Sequence, residues 1–166
     1  MGPFSRLRVI DLSPHRVGAQ ISQLFADFGA DVIQVEPPGG AEIRQHAAYP
    51  FWARGKRSIV LDIHDDADRA TLRDLVRHAD VFIETHQPGV LDGIGLGYDA
   101  LSELNPRLVY TSVTGWGRES PYRDVPGYEG AVMAKLGVFH TFRRMSPHAA
   151  PPFVNVPFAS FPASQV

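Results

Sequence analysis

The stretch from Leu7 to Gly40, LRVIDLSPHRVGAQISQLFADFGADVIQVEPPGG, constrains the fold more than any other part of the chain. A short apolar run, Leu7 to Leu12, gives way at Ser13-Pro14 to a polar turn. From Val17 the apolar residues recur at Ile21, Leu24, Phe25 and Phe28, one face of a helix, and Gly29 follows as its stop. A second apolar run, Val32 to Val35, ends at Glu36 and breaks at Pro37-Pro38-Gly39-Gly40. Strand, helix and strand in so few residues make a βαβ unit, and a right-handed crossover sets its two strands parallel in one sheet. The turn from Ser13 to Gly18 then lies at the carboxyl end of the first strand, where open α/β sheets bind ligands.

The alternation continues. Ser58 to Ile63 is predicted as a third strand, followed by a helix from about Asp66 to His78 with Asp65 as N-cap. Val81 to Glu84 is the fourth strand, closed by Thr85-His86-Gln87-Pro88-Gly89. Val90 to Leu104 reads as one helix broken by Gly93, Gly95 and Gly97; its GIGLG follows no strand and is read as a packing bend, not a nucleotide loop. Leu108 to Val113 is the fifth strand. The pattern predicts an α/β protein with a Rossmann-like, doubly wound parallel sheet over residues 1–118.

Residues 41–57 carry no clean period and read as a loop, with Tyr49, Phe51 and Trp52 as an aromatic anchor. The basic cluster Arg54, Lys56 and Arg57 ends that loop; it is either a solvated surface or a set of cations facing phosphate. After Gly117 the rhythm changes. Residues 119–166 read as a connection, a helix over Tyr128 to Phe139, a basic proline-rich loop over Arg143 to Pro152, and a last short strand, Val154 to Ser160, of the same domain. No closing helix follows, so the sheet is expected to be incomplete at the carboxyl end and the chain to be part of a longer fold.

Composition narrows the functions. The chain is 44% hydrophobic and 20% charged with a net charge of −2, which argues against disorder and against general attraction to nucleic acid or an anionic membrane. There is no cysteine, so disulfides, thiolate metal sites and a cysteine nucleophile are excluded. No histidine pair has metal-ligand spacing, and no metal is expected. Without an apolar leader or a bilayer-length run, the sequence reads as cytoplasmic.

The segments RVIDLS, FADFGADVIQVEPP, ARGKRSIVLDI, LNPRLVYTSVTGWG, SPYRDVPGYEG and VPFAS resemble, in order and spacing, the family III CoA-transferases. This CaiB/BaiF-like superfamily includes the formyl-CoA and carnitine CoA-transferases and the α-methylacyl-CoA racemases. The resemblance implies coenzyme A or acyl-CoA as a substrate and a carboxylic acid as acceptor. It also implies a chain well over twice this length that assembles as an interlocked homodimer, so this chain would need a carboxyl-terminal or partner segment. By the same resemblance the cofactor lies over His15, Arg16 and Val17, over Pro37, and over Thr85 and His86. Arg54 and Lys56 are further candidates for its phosphates.

In the transferases of that family an aspartate attacks the thioester and forms a mixed anhydride that incoming and departing acids can both open. The aspartate follows a short strand in a pattern like VPVADL, and here Ser160 stands in its place within Val156-Pro157-Phe158-Ala159-Ser160. A serine ester would trap the acyl group, and a hydroxyl is a poor proton shuttle for racemisation. Tyr128 matches the racemase histidine position, and Tyr128-Glu129 has a transferase-like pairing. The resemblance therefore implies CoA binding with impaired or absent catalysis. The alternatives are an active transferase or racemase that uses another carboxylate, such as Glu129 or one from a partner chain, and a non-catalytic nucleotide-binding or interaction module.

Overall fold

The computed structural model describes residues 2–141, and Ser160 with its surrounding segment lies outside them. The chain divides after Val113 into two compact units. The first holds five parallel strands: β1 (Arg8–Asp11), β2 (Asp31–Glu36), β3 (Lys56–Val60), β4 (Val81–Glu84) and β5 (Val109–Ser112). Their order in the sheet is β3-β2-β1-β4-β5, so the direction of winding reverses between β1 and β4.

Each strand offers alternate residues to opposite faces, and the helices divide accordingly. Val9, Val32, Val81 and Ile83 pack on one face with Ile21 and Phe25 of helix α1 (Arg16–Asp27). Ile10, Ile33, Val35 and Phe82 pack on the other with Leu72 and Val76 of α3 (Asp66–Arg77). Leu91 of α4 (Val90–Gly93) and Leu101 of α5 (Tyr98–Leu104) join that second core. This two-faced burial explains why the three central strands, β2, β1 and β4, read as near-continuous apolar runs.

The expected helix start at Asp65 is present: its carboxylate accepts from Ala67 N at 2.9 Å and Asp68 N at 3.1 Å. Three expectations need adjusting. The stretch read as one glycine-broken helix is two, α4 and α5, separated at Ile94 to Gly97. The loop after β2 contains a 3-10 turn (Glu42–Gln45) and a short helix α2 (Tyr49–Ala53), whose Trp52 is buried against Ala19, Ala41 and Ile43. The third strand starts two residues earlier than expected, at Lys56, because the ladder to β2 begins with Lys56 opposite Val32.

In the second unit the helix expected over 128–139 is α6 (Glu129–Lys135) followed by α7 (Val138–Thr141). Gly137, at φ +76°, separates them in a conformation that disfavours side chains with a Cβ. Lys135 Nζ donates to Tyr122 OH at 2.7 Å and lies over the same ring.

Candidate functional site

The reversal between β1 and β4 opens a crevice at their carboxyl ends, because the chain leaves β1 toward one face of the sheet and β4 toward the other. The strands stay bonded as far as Leu12 N to Ile83 O, 2.9 Å. Beyond that point the β1 side presents Ser13 to Val17 and the β4 side Thr85 and His86. Ser13 Oγ, Thr85 Oγ1 and His86 Nδ1 are all buried without a hydrogen-bond partner among the described residues. Buried polar atoms are normally paired, so three unsatisfied ones at the ends of two neighbouring strands set this place apart, although Gln20, Gln34, Ser112 and Trp116 also hold such atoms.

The three central strands each end in a buried carboxylate. Asp11 accepts from Ser13 N at 2.9 Å and from Ser22 Oγ. Glu36 accepts from Ala41 N at 3.1 Å and takes a two-pronged bond from Arg44, with Nη2 to Oε1 at 2.8 Å. The Arg44 bonds, followed by that backbone N–H, hold the Glu36 carboxyl below the usual range despite its burial. Glu84 accepts from His86 N at 2.7 Å, with its Oε2 3.6 Å from His86 Nδ1. Asp11 and Glu84 thus pin the first residues of the loops after their own strands, and Glu36 holds Ala41 and Arg44 further along its own.

Beside the β1 turn lies an open cleft of about 360 Å³, with Pro14, His15 and Arg16 on one wall and Ile43, His46 and Trp52 on the other. The His46 and Trp52 rings sit 4.8 Å apart at 38°. His46 Nδ1 accepts from Ala48 N, which fixes the imidazole's orientation. His15 is exposed at the N-cap of α1 and makes no side-chain cap bond, and the first turn of that helix has no acidic residue. The amino end of α1 therefore presents its positive pole without a carboxylate of its own to neutralise it.

The cations near residue 55 are not gathered on one surface. Arg54 donates to Asp27 at 2.9 and 2.6 Å and stacks on the Phe51 ring. Arg57 pairs with Asp31, which also receives Arg8. Burial raises the Asp31 carboxyl, but the Arg57 and Arg8 hydrogen bonds outweigh it, and the net shift is downward. Lys56, read from sequence as part of a loop cluster, is a strand residue whose side chain is 2% exposed. Its Nζ donates to Ser22 Oγ at 2.7 Å and Ala19 O at 2.8 Å, and lies 3.9 Å from Asp11 Oδ2. Burial lowers its pKa to about 8 against the attraction of Asp11 and Asp27.

His15, Arg16 and Val17 follow β1, and Thr85 and His86 follow its sheet neighbour β4; the cleft beside the β1 turn is lined by His15 and Arg16, and its lining does not include Val17, Thr85 or His86. Tyr128 is 74% exposed at the N-cap of α6, and Glu129 opens that helix, both in the second unit. Sequence reasoning did not single out Asp11, Ser22 or Glu84. Only Asp11 and Glu84 left a signal, as acids closing apolar strands. Among the described residues no three His, Asp or Glu side chains form a group that could hold a metal ion.

A parallel α/β sheet whose winding reverses between β1 and β4 has the layout in which open α/β proteins bind ligands at the carboxyl ends of their strands. The chain belongs to CoA-transferase family III, whose sequence profile matches residues 4–164. It is 40% identical over 146 residues to the acetyl-CoA:oxalate CoA-transferase of Acetobacter aceti, an alignment covering 82% of this chain and 38% of that one. It is 41% identical over 151 residues to the succinate–glutarate CoA-transferase of Agrobacterium fabrum, with 81% and 38% covered. The crystal structure of the hypothetical protein Rv3272 from Mycobacterium tuberculosis superposes with a TM-score of 0.92 at 30% identity, covering 99% of this chain and 47% of that one. The chain thus spans 38% of the length of each of these two curated relatives.

Proposed function

We propose that this chain forms the CoA-binding part of a family III CoA-transferase, with the thioester lying across the β1–β4 crevice. The observation that carries this reading is the set of orphaned buried polar atoms, Ser13 Oγ, Thr85 Oγ1 and His86 Nδ1, at the switch point of a sheet whose relatives act on CoA thioesters. His15, Arg16 and Val17 hold the phosphate-bearing end against the uncapped start of α1. Thr85 and His86 take the other side. Of the basic cluster, Arg54 is paired with Asp27 and would reach a phosphate only by leaving that carboxylate.

The proposed reaction class is transfer of CoA from an acyl-CoA to a carboxylic acid, and the relatives' use of short acids supports a small acceptor. Ser160 at the position of the family's aspartate leaves this chain able to bind the thioester and impaired in turning it over. Tyr128 and Glu129, matched to family positions by resemblance, do not supply the missing nucleophile. The working unit is a homodimer or an assembly with a partner segment, in the cytoplasm.

Mass spectrometry of the intact protein after incubation with acetyl-CoA tests this. Bound CoA with no covalent acyl adduct is expected, and Ser160→Asp should create an adduct. An adduct on the unaltered protein that exchanges with free acid would overturn the impaired-catalysis reading.

A further inference from the structure

Lys56, Ser22 and Asp11 come from three separate elements, β3, α1 and β1, and meet beneath the turn that the proposed ligand would touch. Lys56 lies opposite Val32 in the ladder, so it points to the face of the sheet that α1 covers. Its ammonium donates to Ser22 Oγ and to Ala19 O; the Ser22 hydroxyl donates on to the Asp11 carboxylate, which also accepts from Ser13 N. The chain of bonds starts at a cation and ends on the backbone of the turn itself.

The same turn is closed from above by contact. A Cβ at Gly18 would meet Ser13 Oγ at 2.0 Å, so the start of α1 sits directly on Ser13. A buried ion pair is weak evidence for stability, since packed apolar residues hold a helix to a sheet as well or better. What the polar trio adds is direction. It fixes the backbone between Ser13 and Ala19 at defined angles and keeps a positive charge behind it, in a medium that screens little.

We propose that Lys56 is a positioning residue which, through Ser22 and Asp11, sets the Ser13–Ala19 turn in its anion-binding form. The inference rests on the reading that an acyl-CoA binds at this turn. The charged groups facing Lys56 are Asp11 from β1 and Asp27 from α1, the latter held by Arg54 beyond α2; β2 contributes the uncharged Val32 alongside. Loss of the ammonium's proton removes one positive charge from behind the turn, so anion affinity is highest with Lys56 protonated.

The experiment uses the intact protein, with Lys56→Met, which keeps the stem, and Asp11→Asn/Lys56→Met, which removes both charges and avoids a lone buried carboxylate. Acetyl-CoA affinity is measured by calorimetry from pH 7.5 to 9.5, where the phosphates are already ionised. The Lys56 side-chain carbon shift is followed by NMR over the same range. The unaltered protein should lose affinity about tenfold through the Lys56 midpoint, as expected for losing one charge-assisted bond network, and both variants should bind weakly with a flat profile. A flat profile in the unaltered protein, or variants that keep its affinity and profile, overturns the proposal. Amide hydrogen exchange at Val17 to Ala19 needs no ligand and should be faster in both variants while β4 amides are unchanged. Faster exchange without any acetyl-CoA binding would sink the CoA reading and leave the positioning role standing. Binding with unchanged exchange and affinity would do the reverse.

Discussion

Arg44 grips Glu36 with two nitrogens, and that pair ties the loop after β2 back to the strand it left. Glu36 is fully buried, while Arg44 is about half exposed (47%), so the bond joins a desolvated carboxylate to a solvent-facing cation. The 3-10 turn carrying Arg44 also supplies Ile43, and the loop continues to His46 and Trp52, which form one wall of the cleft. Glu36→Gln should therefore loosen the cleft as well as the loop. A loss of about 1–3 kcal/mol in urea unfolding is expected, the cost of leaving buried partners poorly satisfied. An unchanged midpoint would show the pair to be dispensable.

Acid should destabilise the protein through specific carboxylates. Glu36, Asp27 and Asp31 all have folded-state pKa values below their ordinary ones, 4.5 for the glutamate and 3.8 for the aspartates. Hydrogen bonds from Arg44 and from Arg54 lead the shifts of Glu36 and Asp27, whereas at Asp31 the arginine bonds overcome burial. A depressed carboxyl contributes stability above its unfolded pKa and loses it as pH falls through the folded value. Unfolding free energy should be level from about pH 6 down to about 5 and then fall, with a shallower fall in Glu36→Gln. An equal slope in the variant would remove Glu36 from the account.

Lys56 works in the opposite sense. Its folded pKa is about 8 against 10.5 for the free side chain, so between those values the unfolded chain binds more protons than the folded one. Stability should then rise with pH from about 8 to 10.5, by about 3 kcal/mol at most on the linkage relation. In Lys56→Met that rise should vanish. The protein is thus predicted to be less stable at neutral pH than an uncharged core would make it, which fits a buried charge kept for binding.

Trp52 is buried in the wall of the cleft and stacked near His46, so it should report on ligand. With the other tryptophan removed (Trp116→Phe), acetyl-CoA should change the Trp52 emission in a saturable way. Trp52→Ala should cost about 3–5 kcal/mol of stability, as for other large buried rings. Emission that ignores saturating acetyl-CoA would move the ligand away from this cleft.

Asn105 explains part of why LNPRLVY is a recognisable signature. Its Nδ2 donates to Val76 O at 2.9 Å and Ala79 O at 2.8 Å, capping the end of α3 from the end of α5. Asn105→Ala should remove both bonds, leaving Val76 O with its bond from Ala79 N, and lower the thermal midpoint by several degrees, on the order of 1–2 kcal/mol. It should leave acetyl-CoA affinity unaltered, in contrast to changes at the β1 turn.

The sheet was legible because its three central strands are buried on both faces and separated by amphipathic helices, so Val9-Ile10, Val32 to Val35 and Val81 to Ile83 stand out without tertiary information. The Asp65 cap was legible for the same local reason. What could not be read was strand register. Lys56 looks like one of three loop cations until β3 is known to pair Lys56 with Val32, after which its direction under α1 follows. The orphan atoms of the crevice were hidden for a related reason: Ser13 and Thr85 are ordinary turn residues until the sheet order sets β1 beside β4. Gly93 to Gly97 misled only about helix length, because tertiary packing of Leu91 and Leu96 keeps both halves in one core.

Calorimetric titration of the intact protein with CoA and with NAD, side by side, tests whether the β1 turn is a CoA site. Saturable binding of CoA that is lost in Gly18→Ala, where the added Cβ would collide with Ser13, is expected, together with no binding of NAD. Binding of NAD without CoA, or CoA binding indifferent to Gly18→Ala, would contradict a CoA site there.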